Sequence, residues 1–411
     1  MIKALYISYD GMTDNLGQSQ VIPYIKGLSE KGIKFTILSF EKEHIYKKKK
    51  KAVSSLLKES EINWIPVKYT KSPPIISTIK DILTLINTSK KLHKKYNFTI
   101  IHCRSYISSI AGLYLKSKYG VKFIFDMRGF WADERIDGNI WNIKIPIYKW
   151  IFLYFKSLEK KFLHNADYII SLTHSGKNII KSWDFNNNTT IDNIEVIPCC
   201  TDFNHFTKNK KQHEKTLILK KELNIDNNFV LSYLGSIGTW YMLDEMLDFF
   251  KILLKQKPES IFLFITGDTP NNIYTTVKDK NIDKNKIIVV SSNREDVPAY
   301  IAMSSISIFF IKPLFSKKAS SPTKLAEIMS MGIPVICNDI GDIKEIIEES
   351  ESGLLVNEFN NKEYDKTISK IDDILKVNKE KIRNYSLNKF SLNKGIDRYF
   401  KIYNKLHENN K

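Results

Sequence analysis

The stretch that decides the fold of this chain reads Ala319-Ser320-Ser321-Pro322-Thr323-Lys324-Leu325-Ala326-Glu327, and it continues to Met331-Gly332-Ile333-Pro334-Val335-Ile336. It predicts a loop, a short helix and a buried strand. Ser321 suits the N-cap of that helix and Pro322 its first position. An apolar stripe follows at helical spacing, formed by Leu325, Ile328 and Met329. Gly332 suits the position just after the helix, and Pro334 prevents the helix from continuing.

Lys324 breaks the local rule, because the first turn of a helix favours an anion over a cation. A local misfit of this kind often marks a functional site. Free backbone N–H groups and the ammonium would together hold a phosphate bound at this helix start. Alternatively, Lys324 pairs with Glu327 three residues on. The stretch by itself leaves both explanations open.

Length and composition indicate a globular protein of two domains. The chain has 411 residues, 43% of them hydrophobic, which is enough for two domains of about 200 residues. Its four cysteines lack metal-ligand spacing, so we expect a reduced, cytoplasmic protein. The first residues predict a strand rather than a signal peptide, and no apolar run reaches the roughly 18 residues of a membrane span.

The net charge of +18 is unevenly distributed. Residues 1–200 hold 31 Lys+Arg against 17 Asp+Glu, whereas residues 201–411 hold 32 against 28. The basic first half suggests nucleic acid, an anionic membrane surface or an acidic substrate as a partner. A genome that favours Lys and Asn codons would explain part of the excess, though not its asymmetry.

Strands alternate with helices in two successive series, which predicts two parallel sheets. The strands of the first series are predicted at Lys3–Ser8, Lys34–Phe40, Phe98–Cys103, Val121–Asp126, Asp167–Leu172 and Glu195–Pro198. After a polar linker at Asp192–Lys211, those of the second are predicted at Phe229–Leu234, Ile261–Thr266, Lys286–Val290, Ser305–Phe310 and Pro334–Cys337. An aromatic helix, Asn388–His407, closes the chain.

Charged and aromatic residues follow two strand ends of the first series. In open α/β sheets ligands bind beyond the carboxyl ends of the strands, so we consider these residues candidates for a binding rim: Arg104, Tyr106, Asp126, Arg128, Trp131, Asp133, Glu134 and Arg135. A salt-bridge network within the loop would account for Asp133–Arg135 more readily than for Arg128.

Two lysine-rich segments have ordinary and functional interpretations. The five lysines 47–51 are typical of a solvated helix face. The aromatic helix predicted at Ile143–His164 fits either a membrane-surface helix or a core helix, and the core helix is the favoured interpretation.

Five pieces resemble glycosyltransferase family 4 in the right order and span nearly the whole chain. They are Gly17-Gln18-Ser19-Gln20, Glu159 with Ala166-Asp167, Val196-Ile197-Pro198 with Asp202 and Phe206, Gly235-Ser236-Ile237-Gly238, and Ser321–Lys324 with Glu327 and Gly332–Ile336. The last piece is the most specific. The strings Gly17–Tyr24 and Asp126–Trp131 resemble members that build bacterial surface polysaccharides.

The resemblance implies a GT-B fold, in which two Rossmann-like, doubly wound α/β domains face a central cleft. The expected domains are an acceptor-binding domain at 1–205, a nucleotide-sugar-binding domain at 206–387, and a C-terminal helix at 388–411 that crosses back to the first domain.

The resemblance also implies roles for individual residues. Glu327 would bind the ribose hydroxyls and the turn at Thr323-Lys324 the pyrophosphate, while the segment Arg294–Tyr300 would lie beside the base. Arg128, Lys324 and Glu327 are the expected catalytic residues, and the rim residues other than Arg128 are the acceptor-side candidates. The expected donor-binding residues are Gly17, Gln18, Gly235, Ser236, Gly238, Thr239, Arg294, Val297, Ser321, Pro322, Thr323, Lys324 and Glu327.

Three departures from the family pattern shift this expectation. Ala319 stands where many members have a second glutamate, and the loop Gly238–Tyr241 lacks their arginine and lysine. Arg128 stands where many have a histidine. Lys324, with Arg128 from the other half of the chain, must then carry more of the phosphate charge.

The implied activity is metal-independent, retaining transfer from a nucleoside-diphosphate sugar, without a cofactor. The acceptor would be a glycan or an undecaprenyl-diphosphate-linked sugar in O-antigen or capsule synthesis, in the cytoplasm or at the inner face of the membrane. A non-hydrolysing nucleotide-sugar epimerase, a phosphorylase and a catalytically silent nucleotide-sugar-binding protein are alternatives on the same fold. A basic nucleic-acid-binding protein is a remote one, because no recognised motif accompanies the charge.

Overall fold

The computed structural model describes residues 1–183 and 191–408. Its contacts divide the chain into two compact units. The first unit comprises Met1–Cys200, Lys318–Ser320 and Leu392–Lys411. The second comprises Thr201–Lys317 and Ser321–Ser391.

The first unit is built on a parallel sheet of seven strands in the order β3-β2-β1-β4-β5-β6-β7. The strands are Lys3–Ser8 (β1), Lys34–Glu41 (β2), Asn63–Lys68 (β3), Ile100–Arg104 (β4), Lys122–Asp126 (β5), Tyr168–Ser171 (β6) and Ile194–Val196 (β7). In this order the chain changes direction across the sheet between β1 and β4. The last residues of β1, β4 and β5 are neighbours in register at the carboxyl edge of the sheet: Ser8, Arg104 and Asp126.

Helices cover both faces of this sheet. They are Asn15–Gln20 (α1), Ile22–Glu30 (α2), Glu43–Glu59 (α3), Ile76–Tyr96 (α4), Ser105–Tyr119 (α5), Trp131–Asp137 (α6), Pro146–Asn165 (α7) and His174–Ser182 (α8). On one face α5 packs between α4 and α7. The central strands β4 and β5 are buried except for Lys122, and their apolar residues contribute to the core.

The second unit has a parallel sheet of six strands in the order β10-β9-β8-β11-β12-β13. The strands are Phe229–Leu234 (β8), Ser260–Ile265 (β9), Ile287–Val290 (β10), Ile306–Phe309 (β11), Val335–Cys337 (β12) and Gly353–Leu355 (β13). The helices are Lys210–Glu222 (α9), Leu243–Gln256 (α10), Asn271–Asp279 (α11), Val297–Ala302 (α12), Thr323–Ser330 (α13), Ile343–Ser350 (α14), Asn361–Ile368 (α15), Ile371–Ile374 (α16) and Lys379–Phe390 (α17). Two 3₁₀ turns, Lys284–Lys286 and Arg294–Asp296, complete it. A third, Phe315–Ala319, begins in this unit and ends at residues that belong to the first.

The last helix, Leu392–Glu408 (α18), belongs to the first unit and packs on α2. Glycines permit the close approach. A Cβ added to Gly27 would lie 2.3 Å from the Ile396 side chain, and one added to Gly395 would lie 2.9 Å from the Tyr24 ring. The predicted return of the C-terminal helix to the first domain is confirmed. The helix begins at Leu392 rather than 388, and residues 409–411 lie outside the described part of the chain.

The strands predicted from the sequence are present, with ends that differ by at most two residues. Two strands were missed. In β3, Pro66 and half-exposed residues at the sheet edge hide the apolar signal, and β13 has three residues. The predicted linker at Asp192–Lys211 overlapped the predicted strand Glu195–Pro198, and the structure has this strand at the sheet edge, at Ile194–Val196.

Candidate functional site

The opening stretch forms a loop followed by α13, as expected, but the helix begins one residue later than predicted. Pro322 is the N-cap residue, with extended backbone, and the helix starts at Thr323. Ser321 is therefore not the N-cap. The apolar stripe of Leu325, Ile328 and Met329 is buried, and Gly332 follows the helix with φ +64°.

The Lys324 side chain is 7% exposed and points into the second unit. Its Nζ donates a hydrogen bond to the Tyr233 hydroxyl at 2.8 Å. The same atom lies 4.0 Å from the ring centroid of Tyr233 and 3.4 Å from that of Tyr241. Burial lowers the pKa of Lys324 well below its ordinary value, opposed by the charges of Glu327 and Asp268. An anion beside this ammonium would therefore be strongly favoured.

Glu327 lies one helical turn further and is also 7% exposed. Its Oε1 accepts a hydrogen bond from Arg294 Nη1 at 3.2 Å. Burial raises the pKa of Glu327, and Arg294 and then Lys324 oppose that rise. The ion-pair partner of Glu327 is thus Arg294, from the turn after β10, rather than Lys324. The surface-pairing explanation for Lys324 was therefore wrong.

The glycine loop after β8 lies against Lys324. Gly235 has φ +98°, and a Cβ added there would come within 3.5 Å of the Lys324 Nζ. Asp268, after β9, fixes this loop by accepting hydrogen bonds from Ser236 Oγ at 3.0 Å and from the backbone N–H of Ile237 at 2.7 Å. Residues that follow β8, β9 and β10 thereby meet the start of α13 at one edge of the sheet.

Lys317 is a candidate that sequence reasoning missed. It is 5% exposed, and its Nζ lies 3.5 Å from the Trp240 ring centroid. The loop that lacks the family's arginine and lysine instead carries Trp240 and Tyr241, which contact Lys317 and Lys324. The sequence did contain a signal for Lys317. Two aromatic residues stand where the family has two cations, and a desolvated ammonium binds favourably over aromatic rings.

The first unit gathers a second group of buried charges at its carboxyl edge. Asp126 accepts a hydrogen bond from the Tyr399 hydroxyl at 3.2 Å, and its carboxylate lies 3.8 Å from Arg128 Nη1. Arg128 has φ +59°, a conformation that costs a non-glycine residue energy and is often found at functional sites. Arg104 Nε lies 3.3 Å from the Asp10 carboxylate.

Burial is the largest effect on the Asp126 pKa and would raise it, but the neighbours Arg128, His102 and Arg104 together hold that pKa below its ordinary value. The cluster therefore keeps an ionised carboxylate between two arginines.

The first loop is shaped by contacts within itself. A Cβ added to Gly17 would lie 2.2 Å from the Gly11 carbonyl oxygen, so this glycine permits close packing of the loop. Gln18 Nε2 donates to the Thr13 carbonyl at 2.8 Å. The buried Glu41 carboxylate, which the sequence did not reveal, accepts from the N–H groups of Met12 and Thr13. Donor contact by Gly17 and Gln18 stays a prediction.

The remaining acceptor-side candidates lie in or beside α6. Tyr106 is fully buried and donates to Glu159. The Arg135 guanidinium lies 4.7 Å from the Trp131 ring centroid, and Asp133 pairs with Lys156 at 3.0 Å. Glu134 lies in the first turn of α6. The ion pair of Asp133 is therefore formed with α7 rather than within the segment itself, and an acceptor role stays a prediction.

In the second unit the structure brings together Lys324, Glu327, Arg294, Gly235 and Ser236. Thr239 continues the same loop and Val297 begins α12. Across residues 1–183 and 191–408, no group of three or more His, Cys, Asp or Glu side chains is arranged to hold a metal ion. Metal independence stays a prediction.

Solved structures share this architecture over nearly the whole chain. Sucrose-phosphate synthase from Thermosynechococcus elongatus superposes with a TM-score of 0.74 at 14% identity, covering 99% of this chain and 100% of that one. Anabaena HepE in complex with UDP-glucose gives 0.71 at 12% identity, covering 98% and 100%. Two Rossmann-like α/β domains of this kind define the GT-B class of fold.

Two family models match the sequence. The model described as Glycosyltransferase Family 4 matches residues 19–205, and that described as Glycosyl transferases group 1 matches residues 214–373. The chain therefore belongs to the glycosyltransferases of the family 4 type.

A curated relative is an uncharacterised 41.2 kDa protein in the cps region of Klebsiella pneumoniae. It is 24% identical over 158 residues, which are 38% of this chain and 42% of that protein. In the part of the chain that the structure describes, no helix is long and apolar enough to cross a membrane.

Proposed function

We propose that the chain transfers a sugar from a nucleoside-diphosphate sugar to a hydroxyl of a glycan or lipid-linked glycan, with retention at the anomeric carbon. The observation that carries the proposal is the buried pair Lys324 and Glu327 at the start of α13. Each charge has been removed from water, and the groups around Lys324 are a hydroxyl and two rings rather than a carboxylate.

A nucleoside diphosphate satisfies both members of this pair. Its phosphates would supply the anion that the ammonium of Lys324 lacks, assisted by the helix start and the Gly235 loop. Its ribose presents two neighbouring hydroxyl donors, which a carboxylate such as Glu327 accepts. Arg294, already bonded to Glu327, would lie beside the base.

The reaction needs no protein nucleophile. The bond from the anomeric carbon to the phosphate oxygen breaks, a bond to the acceptor oxygen forms on the same face, and the acceptor proton passes to the departing phosphate. Lys324 would stabilise the charge that develops on that phosphate. Arg128 is proposed as the second cation for this step, and the acceptor would contact the strand-end residues of the first unit.

Two relatives guide the choice of substrates. HepE was crystallised with UDP-glucose, which makes uridine nucleotides the first donors to test. The location of the Klebsiella relative in a cps region supports a role in surface polysaccharide synthesis, with an undecaprenyl-diphosphate-linked sugar as acceptor.

The first experiment is a thermal-shift screen against nucleoside diphosphates. A ligand present at 100 times its Kd should stabilise the protein by about 2.7 kcal/mol. Glu327→Ala should abolish the shift, whereas Glu345→Ala, at an exposed position of α14, should retain it. No shift with any nucleoside diphosphate would overturn the proposal.

The second experiment measures transfer. The enzyme is incubated with the donor that binds and with membrane lipid extract as acceptor, with and without EDTA, and the anomeric configuration of the product is read by NMR. Retention and activity in EDTA are expected. Conversion of the donor sugar to an epimer without any acceptor would instead establish the epimerase alternative.

A further inference from the structure

Two helices of the first unit expose apolar side chains in their amino-terminal halves. In α4 these are Ile76, Ile79 and Leu83, which are 65%, 53% and 57% exposed. In α7 they are Ile147, Trp150, Leu153 and Tyr154, which are 50%, 72%, 52% and 55% exposed. Ile143 and Ile145, just before α7, are similarly exposed. Single exposed apolar residues are common on protein surfaces, but seven on two helices, with two more just before α7, are not.

The topology places these residues on one surface. The helices α4 and α7 pack on either side of α5, so all three cover the same face of the sheet. Each connects the carboxyl end of one parallel strand to the amino end of the next, and therefore begins at the carboxyl edge. The apolar residues of both helices thus lie towards the edge that carries Arg104, Asp126 and Arg128.

The charge of this surface is positive throughout. Exposed lysines lie among the apolar residues or further along the same helices: Lys80, Lys91, Lys94, Lys95, Lys144, Lys149, Lys160 and Lys161. The acidic residues of the two helices, Asp81 and Glu159, are 2% and 1% exposed. Asp81 accepts from the Tyr9 hydroxyl and Glu159 from that of Tyr106, so both carboxylates are directed inward.

We propose that the outer face of α4 and α7 is a docking surface for an anionic lipid bilayer. Exposed Trp and Tyr rings beside aliphatic side chains suit the boundary between headgroups and acyl chains. Lysines on the same surface reach lipid phosphates while their methylene stems stay with the apolar side chains. The helix α7 is thus both a core helix, through Phe155 and Phe162, and a surface helix.

A lipid surface fits better than a second copy of the chain. Two copies meeting through this surface would bring lysines against lysines without a carboxylate, and lysine is depleted from the centre of protein interfaces. A bilayer with anionic headgroups instead supplies the opposite charge at the depth of the lysines. The surface would also bring the carboxyl edge near a lipid-linked substrate, although the proposal does not depend on sugar transfer.

The test is flotation of the full chain with vesicles of phosphatidylcholine, with and without phosphatidylglycerol. The wild-type protein should float with the phosphatidylglycerol vesicles, and less so as salt is raised. Trp150→Ser/Leu153→Ser should weaken binding roughly tenfold or more. Lys80→Gln/Lys149→Gln should weaken it roughly 25-fold on anionic vesicles, at about fivefold for each lysine.

Matched controls use the same substitutions elsewhere. Leu217→Ser/Ile218→Ser changes exposed apolar residues of the second unit, and Lys48→Gln/Lys51→Gln changes exposed lysines of α3. Both should float like the wild type. Ile79→Ser/Leu83→Ser on α4 repeats the apolar test in case the α7 variant fails to fold.

Three results would overturn the proposal. The first is that the wild-type protein floats with neither kind of vesicle. The second is that the variants of both helices float as well as the wild type. The third is that the wild type is a dimer that Trp150→Ser/Leu153→Ser converts to a monomer, which would assign the surface to a second copy of the chain.

Discussion

Replacing Lys324 with methionine should have opposite effects on nucleotide affinity and on stability. Methionine keeps the length and apolar character of the buried stem but removes the ammonium. The proposed phosphate contact is lost, while the cost of burying a charge beside Tyr233 and Tyr241 is also lost. A residue with a purely structural role would not separate the two effects.

The magnitudes follow from the environment of Lys324. A hydrogen bond to a charged group contributes about 1.5–3 kcal/mol, so the Kd for the nucleoside diphosphate should rise roughly 10- to 150-fold. Because burial holds the pKa of Lys324 well below its ordinary value, the unfolded chain binds this proton more readily than the folded one. Removing the group should therefore leave the free protein equally or more stable, and a gain of about 1 kcal/mol would raise Tm by about 2–4 °C.

The pH dependence gives the sign of the stability effect. With a lowered folded pKa, the penalty from Lys324 is fully present below that pKa and disappears as pH rises towards the unfolded value near 10.4. The stability difference between Lys324→Met and wild type should accordingly shrink between neutral and alkaline pH.

Calorimetric titration with the nucleoside diphosphate gives the Kd, and thermal unfolding at several pH values gives the stability. Lys278→Met, at an exposed position of α11, is the matched control and should change neither. The reasoning is refuted if Lys324→Met unfolds several degrees lower than the wild type without ligand, or if it binds the nucleotide with unchanged affinity.

Three further predictions concern the same unit. Glu327→Gln should lose the preference for a nucleoside diphosphate over its 2′-deoxy analogue, because an amide is a poorer acceptor for two hydroxyls. The ratio of the two Kd values should fall to about 1, and a retained preference would place the ribose elsewhere. Nucleotide binding should take up protons at pH values where Lys324 titrates in the free protein, because the diphosphate raises the lowered pKa of Lys324. Binding enthalpies in two buffers across neutral to alkaline pH measure this uptake, and it should vanish in Lys324→Met. A double-mutant cycle of Trp240→Leu with Lys317→Met should give a coupling of about 1–2 kcal/mol in unfolding free energy, and independent effects would contradict the ring contact.

The sequence was sufficient for the class of fold, and it predicted where along the chain the candidate site lies. Alternating strands and helices, with glycines and a proline at their ends, are local signals, and they predicted the parallel sheets and the helix that begins near Lys324. The same local signals placed the start of α13 one residue too early, because Ser321 and Pro322 suit a helix start wherever they occur, whereas packing decides which residue takes extended backbone.

The partners of the site residues depended on tertiary structure. Arg294 is 33 residues from Glu327 and Tyr233 is 91 from Lys324, and no local spacing reveals such contacts. Burial decides which partner Lys324 has. An exposed Lys324 would pair with Glu327 with little gain in stability, whereas the buried Lys324 contacts a tyrosine hydroxyl and two aromatic rings. The stretch 319–327 thus predicted a charge at a helix start from its sequence alone, and only the fold showed that this charge is buried without a carboxylate partner.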